Sequence, residues 1–240
     1  MQHPENPSEP TPNPASDPAV ADSRDELPQY VLPLVVRLER DATPQRTDAL
    51  ETAARAVLTL LADERGTGDG EWAEAVEAWQ DARIRKVVRR ARGAEWRRAL
   101  ALPGITVVGA QAEVRVYPPV PLDGWPKDLA RLQVSGTDFA DDAPPPPPAP
   151  GVPVVWMNPD VEMTAGKAMA QAGHAAQLGW WRLESERAAK WAAAGFPLAV
   201  RTAQPGQWAR LVESGLPVVR DAGFTEIAPG SATALAELER

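Results

Sequence analysis

Three residues in the stretch NPDVEMTAGKAMAQAGHAAQLG, Asn158 to Gly179, could do chemistry together: Lys167, Gln171 and His174. Their spacing of i, i+4 and i+7 stacks the side chains along one face of an α-helix, so a cation, an amide and an imidazole could reach one spot. An imidazole has an ordinary pKa near neutrality, which makes His174 the natural group to take a proton from an attacking water or to orient that water. A lysine at a helix start can hold a phosphate or stabilise developing negative charge, helped by the free amides of the helix N-terminus. Singly, each has an ordinary reading as a solvated lysine or a packed histidine. It is the conjunction that points to a site.

The elements that must position these groups follow from the pattern around them. Leu216 to Leu235, LPVVRDAGFTEIAPGSATAL, reads as a short apolar strand, a turn holding Asp221 and Gly223, and a second strand interrupted by Pro229 and Gly230. Gly166-Lys167, the Ala-rich run with Gln171 and His174-Ala175, Asp221-Ala222-Gly223, Thr225 and Ile227-Ala228-Pro229-Gly230-Ser231 stand in this order. That series resembles the signature of the type II (archaeal-type) peptidyl-tRNA hydrolases. The resemblance implies hydrolysis of the ester that joins a peptide to the ribose of tRNA, with no metal or cofactor and with a peptide-carrying tRNA as partner. It implies a catalytic set of His174, Asp221, Lys167, Gln171 and Thr225. In that set His174 is general base or water orienter, and Asp221 aligns it or shares the task. Lys167 meets a phosphate or the oxyanion, Gln171 the carbonyl or the water, and Thr225 donates a hydroxyl. Gly166 would let a substrate approach the backbone closely. Relatives often place further lysines where this chain has Glu162 and Thr164-Ala165, and an arginine where it has Phe224. Two rival readings stand beside the enzyme: a non-catalytic RNA- or protein-binding member of the fold, and an esterase or amidase for another acylated substrate.

Composition narrows the rest. The chain has 240 residues, no cysteine and two histidines, which excludes a disulfide framework, a thiol nucleophile and a multi-histidine metal site. No apolar run approaches a membrane span and the N-terminus lacks the order of a signal peptide, so the expected location is cytoplasmic, with no membrane partner. Of the net charge of −8, residues 1–28 carry −5 and residues 139–150 carry −2, leaving the remainder near neutral. A near-neutral body can still present a local positive patch to RNA.

Residues 1–28, rich in proline and acids, read as a disordered tail, and the Pro-rich stretch 139–151 as a stiff spacer between two α/β domains, 29–138 and 152–240. The fold class is α/β, with two small domains that are each a mixed sheet flanked by helices. The two also show a faint tandem repeat. The strands Val35–Asp41 and Val154–Asp160 match at both valines and the final aspartate, and an Ala-rich helix follows each. A Trp-containing helix comes next, then the strand Val87–Arg89 or Ala199–Arg201. After it come a short helix at Trp96 or Trp208 and an apolar strand, Ile105–Val108 or Leu216–Val219. In the first copy the site residues are replaced by Asp48, Thr52, Arg55 and Ala110. The first domain is then a degenerate copy that takes the place of a homodimer partner.

The run RIRKVVRRARGAEWRR, Arg83 to Arg98, holds eight basic residues against Glu95 alone. It offers a substrate-binding surface through Arg89, Arg90 and Arg97, with Trp96 available to stack on a base, or else the Arg-rich solvated face of an ordinary strand and helix. Trp72, Trp79, Trp180, Trp181, Trp191 and Trp208, set among alanines, are expected to anchor the core.

Overall fold

The computed structural model describes residues 27–221 and 227–238. The expected tail, but for its last two residues, lies outside this range, as does Thr225. Two mixed sheets carry the fold. In the first half β1 (Tyr30–Arg37) leads to α1 (Arg46–Ala62), α2 (Ala73–Asp81), β2 (Arg85–Ala91) and α3 (Gly93–Leu100). Next come β3 (Ile105–Val108), β4 (Glu113–Val116), the two-residue β5 (Val120–Pro121) and the single-turn α4 (Lys127–Ala130). The second half runs β6 (Val154–Met157), α5 (Ala165–Trp180), α6 (Ser185–Ala193), β7 (Ala199–Thr202), α7 (Pro205–Glu213), β8 (Val218–Arg220) and β9 (Ala232–Glu237).

Strand order is the same in both sheets: β2-β1-β4-β3 in the first, with β5 added beside β1, and β7-β6-β9-β8 in the second. Each sheet has one parallel pair, β1 with β2 or β6 with β7, and each closes with antiparallel pairs. The strand matching read from sequence is two residues out of step in one place. Val87 pairs with Pro33, whereas Ala199 pairs with Val154, the counterpart of Val35. A slip of two preserves the face that each side chain takes, so short Val-rich runs leave it undetermined. β1 also begins earlier than expected and contains Pro33 in a central strand, where its missing N–H would normally cost a ladder bond. The Pro33 carbonyl accepts from Tyr117 N at 3.1 Å, so its N side faces the break between β4 and β5, where no ladder partner is required.

Alternation along the strands sorts the core into three parts. Val35 of β1 faces an outer cluster with Trp96, Ala99, Tyr117 and Leu129, covered by α3 and α4. Val154 and Trp156 of β6 face another outer cluster with Trp208 and Leu211 of α7. The opposite faces, including Leu34 and Val36 of β1 and Val155 and Met157 of β6, look into one shared core holding α1 and α5. The halves are therefore packed together, with α1 against α5, α5 reaching β2 and α1 reaching β7.

Both central helices are buried on several sides, and α5 achieves this by being narrow. A Cβ added at Gly173 would lie 2.8 Å from Val57 Cγ2 of α1, and one at Gly179 would lie 2.9 Å from Ala236 Cβ of β9. The Pro-rich stretch, expected as a stiff spacer, is tied to the start of α1 and to Arg201 of β7. Asp141 accepts from Thr47 N at 2.8 Å and Thr47 Oγ1 at 2.7 Å at the start of α1, and Pro146 O accepts from Arg201 Nε at 2.9 Å. Of the tryptophans expected in the core, Trp181 stands out at 45% exposure, while Trp72, Trp79, Trp191 and Trp208 are buried and Trp180 is half-buried.

Candidate functional site

Four polar side chains meet where the start of α5 passes the ends of β8 and β9. Lys167 Nζ lies 2.5 Å from Asp221 Oδ2, with the side chains 15% and 6% exposed. Gln171, one turn further along, donates Nε2 to the same oxygen at 3.3 Å and accepts from Thr233 Oγ1 at 2.8 Å. The helical row expected from the spacing thus delivers Lys167 and Gln171 to one carboxylate. Asp221 sits just past β8 and is fixed at both backbone groups: its N–H donates to Ser231 O at 2.9 Å, and its carbonyl accepts from Gly230 N at 2.7 Å. Gly230, at φ 80°, takes the left-handed conformation that this return turn requires.

Thr233 was missed by the sequence reading, and a bulge explains its place. Val219 pairs with Ala234 but Arg220 pairs with Ala232, so Thr233 is an extra residue in β9. Strict alternation would put Thr233 on the side of Leu235, against the outer cluster; the bulge re-aims it toward α5 and Gln171. Pro229-Gly230 nearby signalled an irregular strand start, but nothing in the sequence located the extra residue.

His174 takes a different partner. Its Nε2 lies 2.7 Å from the carbonyl of Ile84, at the foot of β2 in the other half of the chain. Burial first, then the nearby Lys86 and Lys167 cations, push its pKa well below the ordinary imidazole value, against the opposing effect of the Ile84 bond. The ring is therefore neutral at physiological pH. Lys86, which donates to Gln177 Oε1 at 2.6 Å, is itself pushed well down by burial.

Gly166 does permit a close approach, and the chain that approaches is its own. Gly166 N donates to Thr137 O at 3.2 Å, and a Cβ at this glycine would sit 2.4 Å from Thr137 Oγ1. Thr164 accepts from Lys167 N at 3.3 Å, so the first turn of α5 is already partly capped.

The arginines divide in two. Arg89 donates to the carbonyls of Ala130 and Leu132 and lies over the Trp125 ring, 4.4 Å from its centre. Arg90 donates to Ser135 O at 2.8 Å and to the Gln133 side chain. Both side chains hold the segment that follows α4. Arg92 and Arg97 are exposed, and Arg98 is exposed 3.4 Å from Asp128. Trp96 is 3% exposed in the outer cluster, so it anchors α3 and offers no face for stacking.

The first half shows what the same place looks like with other residues. Asp48, Thr52 and Arg55 are the third, seventh and tenth residues of α1, as Lys167, Gln171 and His174 are of α5. Asp48 accepts from the amides of Ala110, Gln111 and Ala112 at 2.9, 2.6 and 2.6 Å, in the loop between β3 and β4. A Cβ at Gly109 would lie 2.3 Å from Thr52 Oγ1. A helix-to-loop contact thus stands at the same helix position in both halves, made by a carboxylate to backbone N–H groups in the first and by a cation to a loop carboxylate in the second.

Among the described residues, no helix is long and apolar enough to cross a membrane. Comparison of the chain with curated proteins and with solved structures found no match. Residues 152–237, somewhat more than a third of the chain, do match the model of the family Peptidyl-tRNA hydrolase PTH2, and this segment contains Lys167, Gln171, Asp221 and Thr233 together with the motifs that carried the resemblance.

Proposed function

We propose that the chain hydrolyses the ester bond of peptidyl-tRNA, releasing the peptide and free tRNA, from a site built on Lys167, Gln171, His174, Asp221 and Thr225. The observation that carries this reading is the Lys167–Asp221 pair bridged by Gln171, inside the segment matched by the family. Ester hydrolysis needs a water, a group that takes its proton and a donor for the oxyanion. The water oxygen bonds to the ester carbon, its proton passes to a nearby base, and the bond to the ribose oxygen breaks as that oxygen is reprotonated. Asp221 and the neutral His174 are the proton acceptors of the set. Lys167, held in place by Asp221, is the cation for the oxyanion or a phosphate, and Gln171 orients the carbonyl or the water.

Phosphate contact beyond the site falls to exposed cations. With Arg89 and Arg90 engaged internally, the exposed Arg92, Arg97 and Arg98 are members of the basic run that can meet tRNA. We read the two halves, residues 29–138 and 152–240, as diverged copies, with the first standing where a second subunit would pack. Identical strand order and the mutual reach of α5 to β2 and α1 to β7 support this. A cytoplasmic location belongs to the same reading.

Turnover and binding separate this function from its rivals. Incubation with an N-blocked aminoacyl-tRNA should release the acyl amino acid in catalytic amounts. Tight tRNA binding with no release would establish a binding protein, and release from small acyl esters but not from the tRNA would establish a different esterase.

A further inference from the structure

A backbone outlier sits at the seam between the two halves. Ile84 has φ 44°, a left-handed conformation that a β-branched side chain adopts only under strain. The surroundings hold it there: Ile84 N donates to Trp79 O at 3.3 Å, and Trp79 Nε1 donates to Arg85 O at 2.8 Å, on either side of the strained peptide. Trp79 is fully buried in the shared core, so this corner is rigidly placed. Its carbonyl is the one that meets His174, and Lys86 Nζ lies 3.3 Å from the same oxygen.

A carbonyl oxygen can only accept, so the 2.7 Å contact requires a hydrogen on Nε2 of His174. In a neutral ring the lone pair is then on Nδ1. The charged groups acting on the ring are Lys86 from β2 and Lys167 from its own helix. Lys86 is further tied to Gln177, one turn along α5, and lies 4.7 Å from the centre of the Trp79 ring.

We propose that the first half of the chain positions the histidine of the second: the strained Ile84 carbonyl, braced by Lys86, holds His174 as the Nε2–H tautomer, so that Nδ1 is the ring's only proton acceptor. This rests on the reading above that places His174 in a hydrolytic site. It gives the degenerate half a task in the reaction, with Ile84 and Lys86 as positioning residues. It also gives a reason for the strain, which aims the carbonyl at the ring.

The test uses the full chain with ¹⁵N-labelled histidine, followed by long-range ¹H–¹⁵N correlation of the imidazoles. The two histidines are His3 and His174, so His174→Gln assigns the two sets of signals, and N-acetylhistidine in the same buffer gives the ordinary midpoint. His174 should keep the neutral Nε2–H pattern well below that midpoint. In Lys86→Met the midpoint of His174 should rise by roughly one pH unit, and the acid limb of hydrolysis should move the same way. Lys86→Gln, which removes the charge and keeps a donor, should restore the Nε2–H tautomer if the apolar variant disturbs packing. An Nδ1–H pattern, titration in step with N-acetylhistidine, or an unmoved midpoint in both folded variants would overturn the proposal. Absence of hydrolysis alongside the expected spectrum would instead count against the hydrolase reading alone.

Discussion

Replacing Lys167 by methionine removes the ammonium from a carboxylate that has little water to turn to. Asp221 is 6% exposed on its side chain and Lys167 15%, and their charged atoms lie 2.5 Å apart. Breaking a buried pair from one side costs about 3–5 kcal/mol, because the remaining charge loses its counter-charge. Gln171 Nε2 stays within 3.3 Å of the same oxygen and offsets part of that loss, which places the expected cost near the lower end, about 3 kcal/mol. For a chain of this size that is a fall of roughly 6–12 °C in Tm. Urea denaturation should show a lower midpoint with an unchanged slope, the mark of altered stability without altered compactness. Adding Asp221→Asn should recover part of the loss, since a neutral amide needs no counter-charge, and the double-mutant cycle should report a coupling above about 1 kcal/mol. A change below about 0.5 kcal/mol in the single variant, with no coupling, would show a water-screened contact and refute the reasoning.

Three further outcomes follow from the same geometry. Gly173→Ala should destabilise the chain by about 1–3 kcal/mol, because its Cβ would press on Val57 Cγ2; Val57→Ala in the same chain should relieve this, and thermal melts showing no relief would mean that α1 and α5 do not meet there. Stability should fall as pH drops below about 6.5, the unfolded value of histidine, at about 1.4 kcal/mol per pH unit from His174, because its folded pKa is depressed and only the unfolded chain takes up the proton. That slope between pH 6.5 and 5 should disappear in His174→Gln, and an equal slope in both would place the ring in solvent. Arg92→Ala with Arg97→Ala should reduce the slope of log tRNA affinity against log salt by about 2 without loss of stability, whereas Arg89→Ala should cost about 1–3 kcal/mol by stranding two carbonyls; the opposite assignment of effects would overturn the division between them.

The parts that were legible in sequence are those set by short-range periodicity. The i, i+4, i+7 spacing put Lys167 and Gln171 in one row, and the turn at Asp221 closed β8; Pro229-Gly230, expected to interrupt the next strand, instead precedes β9, which begins at Ala232. Strand order in both sheets also agrees with the matched segments, including Ile105–Val108 as β3. Long-range packing set what was missed. Thr233 reaches Gln171 through a bulge, and a bulge depends on how two strands register, not on local residue type. Arg89 and Arg90 resembled a phosphate surface because charge on a strand does not reveal whether backbone carbonyls will arrive from a later segment. His174 resembled a group facing Asp221, and its partner is a carbonyl 90 residues away, presented by a residue whose strain no propensity would suggest. Gly166 resembled a landing place for substrate, where Thr137 lies instead.

Ester hydrolysis by this chain should depend on Lys167 and Asp221. Single-turnover release of a labelled N-acetyl-aminoacyl group from tRNA should be measured for the full chain, Lys167→Ala and Asp221→Asn, at a temperature where circular dichroism shows all three folded. The chain should release the label far faster than the blank, and each variant should be slower by about 10²–10³-fold, the size expected when a charge stabiliser of the transition state is lost. Release by the intact chain at the blank rate, or by both variants at the rate of the intact chain, would contradict it.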